Sequence, residues 1–391
     1  MTYLPMQTSR SLSLYVHIPF CASKCDYCDF TSFAVSPGAE DLFSAYFEAL
    51  KKELLFWKNR YLNANDQLIS LYIGGGTPSV VPFHYYKPFL EELFCIFKPP
   101  KEFTCEVNPA GLKAEFLEFL SQYGCTRISM GLQSPVDETM KRIARHQSVS
   151  QFIRAYSTVR TYFSNVNIDL ICGLPESLQQ WMVKSGDLVE RLSPEHCSVY
   201  ILELEKETPL GKKYRNGQIE LPSFDYTYET FERFIWRLKE AGYQQYEISN
   251  FSLPGYESVH NHAYWHSNRY IGMGVAAGGF FNQIRYVNTP VLNDYLSAVF
   301  EDEKHYDSRI FNSQEENLKE FLFMGLRLKN GINVKTLQEK FPQIETNRIC
   351  EILSSSNYMI LSNSCLKFND YFFIHNRPAF EYLLEILSSV H

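Results

Sequence analysis

Apolar and β-branched residues gather in six short runs, at residues 13–18, 68–73, 102–107, 127–132, 167–172 and 197–202, and each reads as a strand. Between these runs the apolar positions recur every three or four residues. In residues 40–57, Phe43, Tyr46, Phe47, Leu50, Leu54 and Trp57 share one helical face, and Pro37 and Gly38 break the chain ahead of it. Residues 83–97, 113–123, 150–163 and 179–192 repeat the helical pattern. Six alternating β–α units predict an α/β fold with a parallel sheet and helices outside it. Periodicity fits an open sheet and a barrel equally. In both, functional groups belong at the carboxyl ends of the strands.

The pattern changes after about Thr208. Residues 225–241 form an amphipathic helix stopped by Gly242, and a stretch rich in Gly, His and aromatic residues runs from Tyr243 to Phe281. From Ser313 onward the pattern gives three helices, two short strands around Ser362-Asn363-Ser364, and a last helix from Pro378. That order makes a winged-helix-like tail. A chain of 391 residues exceeds what one core usually holds, and the divisions fall at 1–210, 211–312 and 313–391. The last segment carries 8 Lys+Arg against 9 Asp+Glu, and the whole chain has a net charge of -7. Neither figure suits a nucleic-acid partner. No apolar run approaches the ~18 residues of a membrane span. Met1 to Leu14 is polar, without a signal-peptide core. These features together predict a cytoplasmic protein with no integral membrane segment.

Of ten cysteines, Cys95, Cys105, Cys125, Cys172, Cys197, Cys350 and Cys365 stand singly, mostly in apolar surroundings. There cysteine acts as a small hydrophobe, reduced in a large chain without an export signal. The other three are clustered as Cys21-Ala-Ser-Lys-Cys25-Asp-Tyr-Cys28, directly after the first strand. This spacing puts three thiolates on one tight loop, near enough for a single cubane. An iron–sulfur cubane usually takes four cysteines. With no fourth nearby, one iron is left open. Structural zinc wants four closed ligands, usually in C-x2-C pairs.

C-x3-C-x2-C after the first strand resembles the signature of the radical S-adenosylmethionine superfamily. The resemblance implies a partial (β/α)6 barrel and a [4Fe–4S] cluster on Cys21, Cys25 and Cys28. It also implies that S-adenosylmethionine chelates the open iron, where an electron can split its sulfonium to release a 5′-deoxyadenosyl radical. Further motifs narrow the match: Tyr15-Val-His-Ile-Pro-Phe-Cys21, Gly74-Gly-Gly-Thr-Pro-Ser79, Glu106-Val-Asn-Pro109, Ser129-Met-Gly-Leu-Gln133 and Asn167-Ile-Asp-Leu-Ile-Cys-Gly-Leu-Pro175. They run in order over most of the chain and are similar to those of the coproporphyrinogen dehydrogenase group.

The resemblance assigns S-adenosylmethionine contacts, each with a chemical reason. Gly75, Gly76 and Thr77 end the second strand, where glycine lets backbone approach the methionine amino group. Glu106 accepts from that cationic group. Gln133 bonds ribose or carboxylate through its amide, and Asp169 accepts from ribose hydroxyls. Arg145, 12 residues after Gln133, clamps a carboxylate. Tyr15 and Tyr27 flank the cysteines and pack the cluster or touch the ligand. Oxidases of the group bind a second S-adenosylmethionine, and whether this chain does is left open.

The group has two branches: the oxygen-independent coproporphyrinogen III oxidase HemN and the heme chaperone HemW. The oxidase carries a fourth cysteine two residues past the motif, where this chain has Phe30, and a longer arm than the 20 residues before Cys21. Tyr246-Glu-Ile-Ser-Asn-Phe251 and His260-Asn-His-Ala-Tyr-Trp265 are similar to HemW signatures. By that resemblance His260 is the candidate heme ligand, His262 and His266 are alternatives, and Tyr264 and Trp265 flank the porphyrin. Heme would pass to an unidentified acceptor protein, with a flavodoxin or ferredoxin as electron donor. No catalytic residue is assigned. Oxidative decarboxylation of coproporphyrinogen III stays open as the alternative.

Overall fold

The computed structural model describes residues 11–36, 38–303 and 305–389. The polar leader before Ser11 and the break expected at Pro37 lie outside the described residues. Six parallel strands form where the apolar runs lie: β1 Ser11–Ile18, β2 Gln67–Gly75, β3 Glu102–Val107, β4 Arg127–Gln133, β5 Val166–Cys172 and β6 His196–Ile201. They pair in chain order, each parallel to the next. A doubly wound sheet reverses its order at a switch point. This order never reverses, so the sheet curls as a barrel.

The barrel is partial, because β1 does not close on β6. The free edge of β1 pairs in parallel with Tyr270–Met273. Antiparallel strands Gly278–Phe281, Ile284–Asn288 and Tyr306–Phe311 extend that side. The edge of β6 takes Asn250–Ser252. Both open edges are thus covered by later chain, which removes unpaired backbone from solvent.

The helix Glu40–Arg60 shows how the layers lock. Glu40 and Asp41 sit in its first turn and Lys58 and Arg60 in its last, matching the helix dipole. Its buried face holds the expected aromatic and leucine side chains, and also Glu53. The Glu53 carboxylate accepts from the Gly274 N–H at 2.8 Å, Asn288 Nδ2 at 2.8 Å and the Tyr295 hydroxyl at 2.6 Å. A buried carboxylate is tolerated only with such donors, and burial still pushes its pKa up to about 7. Glu53 therefore fastens the first helix to the strands added beyond residue 270.

Capping boxes at Ser148 with Gln151 and Ser313 with Glu316 fix where Val149–Val159 and Gln314–Gly325 begin. One hydrophobic core fills the space between barrel and outer helices. A second, around Leu322, Leu337, Leu353 and Leu366, belongs to the tail. There the hairpin Met359–Ser362 and Cys365–Phe368 turns through Asn363 and Ser364, at φ 51° and 59°. A two-residue type I′ turn needs both residues at positive φ. Among the described residues no helix is long and apolar enough to cross a membrane.

Candidate functional site

The inside of the barrel is polar. Side chains alternate across a strand, and the register sets Thr104 beside Arg127, Glu106 beside Ser129, Ser129 beside Asn167 and Gly131 beside Asp169. A cavity of about 340 Å³ is lined by Glu106, Arg127, Ser129, Gly131, Asn167 and Asp169 among these positions, and by the cysteine loop; Thr104 is not part of its wall. It includes Cys21, Cys25, Tyr27, Cys28, Gly75, Gly76, Thr77, Glu106, Gln133, Arg145 and Asp169. The structure thus gathers the expected residues in one place, except Tyr15 and His260.

Cys21 is buried, Cys25 and Cys28 are part-buried, and all three are free thiols. They are the cysteines of the cavity lining. The Thr77 hydroxyl donates to Cys21 Sγ at 3.5 Å, and Arg145 Nη1 points at Cys25 Sγ at 3.8 Å. Burial pushes the thiols of Cys21 and Cys28 up, and a metal that takes thiolates must displace those protons. Among the described residues, no three His, Cys, Asp or Glu side chains converge to hold a single ion. Mononuclear zinc needs donors within about 2.3 Å of one point. A cubane takes each thiolate on a different iron, and three loop thiols with no fourth cysteine in the cavity lining fit a [4Fe–4S] cluster with one open iron. Phe30, at the place of the oxidase's extra cysteine, lies at the rim and is 63% exposed.

The loop is braced from β1 and β2. The Gly76 N–H donates to the Ile18 carbonyl and the Thr77 N–H to the Phe20 carbonyl, both at 2.8 Å. A Cβ on Gly76 would meet those two carbonyl oxygens at 2.8 Å, so only glycine allows the approach. Gly75, at φ +108°, leaves room for the His17 ring. These glycines were expected to admit a ligand, and in the fold they first admit protein. Tyr15 lies outside the cavity lining. Its hydroxyl lies 2.9 Å from His17 Nδ1, and His17 Nε2 lies 2.8 Å from the Thr31 carbonyl oxygen. Tyr15 thus acts on the cysteine loop through His17.

Deeper in the cavity the polar groups are held in place. Glu106 accepts from the Tyr72 hydroxyl at 2.8 Å and the Gly75 N–H at 2.9 Å, and burial pushes its pKa up to about 7. Asp169 accepts from Ser129 at 3.0 Å and Asn167 at 2.8 Å, and burial raises it as well. Arg145 Nη2 donates to the Gly131 carbonyl, and its Nη1 lies 3.5 Å from the Tyr27 hydroxyl. Gln133 sits at φ 71° after a register irregularity that begins at Gly131. Residue types at this spacing can hold an amino acid's ammonium and carboxylate together with ribose hydroxyls.

Arg127, Ser129, Asn167, Tyr200 and Asn261 also line the cavity, and the motifs assign none of them a role. A signal existed. Glu102, Thr104 and Glu106 alternate with apolar residues, as do Arg127 with Ser129 and Asn167 with Asp169. Polar residues at period two on strands covered outside by helices mark a polar lumen.

His260 takes a different place from the one expected. It is 1% exposed, in the helix Val259–Trp265, at the amino ends of the strands and away from the cysteine loop. Its Nδ1 lies 2.9 Å from Ser70 Oγ and its Nε2 2.8 Å from the Tyr264 hydroxyl. Both ring nitrogens are thus engaged in hydrogen bonds. Neither nitrogen is then free for iron, and burial pushes the ring's pKa down to about 3. Glu102 holds the start of this helix, accepting from Ser258 Oγ and from the N–H groups of Val259 and His260. The helix plugs the barrel floor. Of its side chains, Asn261 reaches the cavity lining. His262 is part-exposed and His266 exposed.

Comparison with known proteins follows the same lines. The radical SAM superfamily model matches residues 15–184, and the HemN C-terminal domain model matches residues 312–344. Heme chaperone HemW of Lactococcus lactis is 34% identical over 332 residues, covering 84% of this chain and 85% of that protein. HemW of Bacillus subtilis is 32% identical, covering 84% and 86%. Among solved structures, coproporphyrinogen III oxidase (HemN) of Escherichia coli superposes with a TM-score of 0.82 at 20% identity, over 98% of this chain and 91% of that one.

Proposed function

The chain belongs to the heme chaperone HemW family of the radical S-adenosylmethionine superfamily, whose cofactors are a [4Fe–4S] cluster and S-adenosylmethionine, and on that premise we propose that it binds heme and delivers it to an acceptor protein. The observation that carries this reading is the likeness to HemW proteins over most of the chain. In support, the rim position after Cys28 holds an exposed phenylalanine and no fourth thiol.

When bound, the cluster and S-adenosylmethionine supply one-electron chemistry at the open iron. Cys21, Cys25 and Cys28 hold the cluster, with Thr77 and Arg145 offering donors to two of the sulfurs. Glu106 takes the ligand's ammonium, Arg145 and Gln133 its carboxylate, and Asp169 its ribose. Tyr27, Gly75 and Gly76 complete the wall. The setting is cytoplasmic, with a flavodoxin or ferredoxin as electron donor. The plug geometry leaves His262, within the His260–Trp265 motif, and His266, just after it, as the accessible imidazoles.

The HemN fold match is compatible with a second reading, oxidative decarboxylation of coproporphyrinogen III. At 20% identity that likeness speaks for the fold alone. Anaerobic reconstitution followed by titration with heme and incubation with coproporphyrinogen III separates the two. Saturable heme binding and transfer to an apo-protein support the chaperone; decarboxylation supports the oxidase.

A further inference from the structure

The lumen holds a cation that the groups around it leave unused. Arg127 begins β4 and is 2% exposed, yet its side chain lines the cavity. Its Nε has no hydrogen-bond partner. Thr104, its register neighbour on β3, is fully buried, and its Oγ1 is unpartnered too. A buried guanidinium Nε and a buried hydroxyl at paired register positions, neither with a hydrogen-bond partner, are unfavourable unless something else fills the gap.

The lumen's own carboxylates do not fill it. Glu102 is committed to Ser258 and to the start of the plug helix. Glu106 is committed to Tyr72 and Gly75, and Asp169 to Ser129 and Asn167. Arg127 acts on Glu106 and Asp169 only as a nearby charge.

We propose that Arg127, backed by its register neighbour Thr104, forms a carboxylate-binding subsite in the lumen, below the Glu106–Arg145 level. A guanidinium fork matches the two oxygens of a carboxylate, and Thr104 packs behind it as the register neighbour on β3. Two ligands can bring this group: a heme propionate, which rests on the function proposed above, or the methionine carboxylate of a second S-adenosylmethionine, the first having its own on Arg145 and Gln133.

The test uses the full chain, anaerobically reconstituted, as wild type, Arg127→Met, Arg127→Lys and Thr104→Val. Each is titrated with heme, heme dimethyl ester, S-adenosylmethionine and its decarboxylated analogue. Arg127→Met should lose about tenfold or more in affinity for one acid and not for its carboxylate-free counterpart. Arg127→Lys and Thr104→Val should fall in between. Loss confined to heme over its ester identifies a propionate. Loss confined to S-adenosylmethionine over the decarboxylated form identifies the amino-acid carboxylate. Unchanged affinity for both acids, or equal loss for acid and counterpart, overturns the subsite. Should Arg127→Met lose its cluster, Arg127→Lys, which keeps the charge and loses the fork, carries the same readout. Failure of the wild type to bind heme removes the chaperone reading and leaves the S-adenosylmethionine pair to decide on Arg127.

Discussion

Ser70 and His260 meet across the floor of the barrel, with Ser70 Oγ 2.9 Å from His260 Nδ1. The contact joins β2 to a helix 190 residues later in the chain, and Tyr264 closes the ring's other side. Removing the imidazole strands a buried serine and a tyrosine hydroxyl. His260→Ala should therefore cost about 1–3 kcal/mol in urea unfolding, while the Soret band of bound heme stays where it is. A displaced Soret band would return His260 to the role of axial ligand.

Each cysteine of the loop should be required for the cluster. Cys21→Ala, Cys25→Ala and Cys28→Ala each leave two thiolates, and reconstituted protein should lose its iron–sulfur absorption and bound iron. Cys105→Ala serves as control, since that thiol is buried in β3 outside the cavity lining and should leave iron content unchanged. Full cluster retention in any of the three loop variants would remove that residue from the ligand set.

Glu106 sets a pH dependence on ligand binding. Burial pushes its pKa up to about 7 from an ordinary 4.5. The folded apoprotein thus holds a proton that the unfolded chain releases between those values, and this group's contribution to stability falls as pH rises through that window. Binding runs the other way, because an ammonium prefers the carboxylate. Affinity for S-adenosylmethionine should rise as pH rises through about 7, and Glu106→Gln should flatten the profile and weaken binding by about 1.5–3 kcal/mol. Calorimetry across the range decides it, and an unchanged slope in the variant would place the ammonium elsewhere.

Much of this was legible from one sequence because local signals agreed. The six strands and their helices follow the apolar pattern, and residues 102–107 lie where β3 forms. Cys21, Cys25 and Cys28 announce themselves by spacing. What was hidden depends on pairing over long separations. Tyr270–Met273 joins the edge of β1 in a stretch whose glycines and aromatics look irregular, and a buried Glu53 holds that extension down. His260 looked like a ligand because a lone histidine's partners are invisible in sequence, and Ser70 and Tyr264 are those partners. Arg127 looks in sequence like the mere start of a strand, although its alternation with Ser129 and Gln133 places it inside.

The central claim is that this radical S-adenosylmethionine fold carries heme and does not oxidise porphyrinogens. The most direct measurement incubates the anaerobically reconstituted, reduced protein in parallel with heme and with coproporphyrinogen III in the presence of S-adenosylmethionine. The account predicts saturable heme binding, transfer to an apo-hemoprotein, and no protoporphyrinogen IX. Multiple turnovers of coproporphyrinogen III without stable heme binding would contradict it.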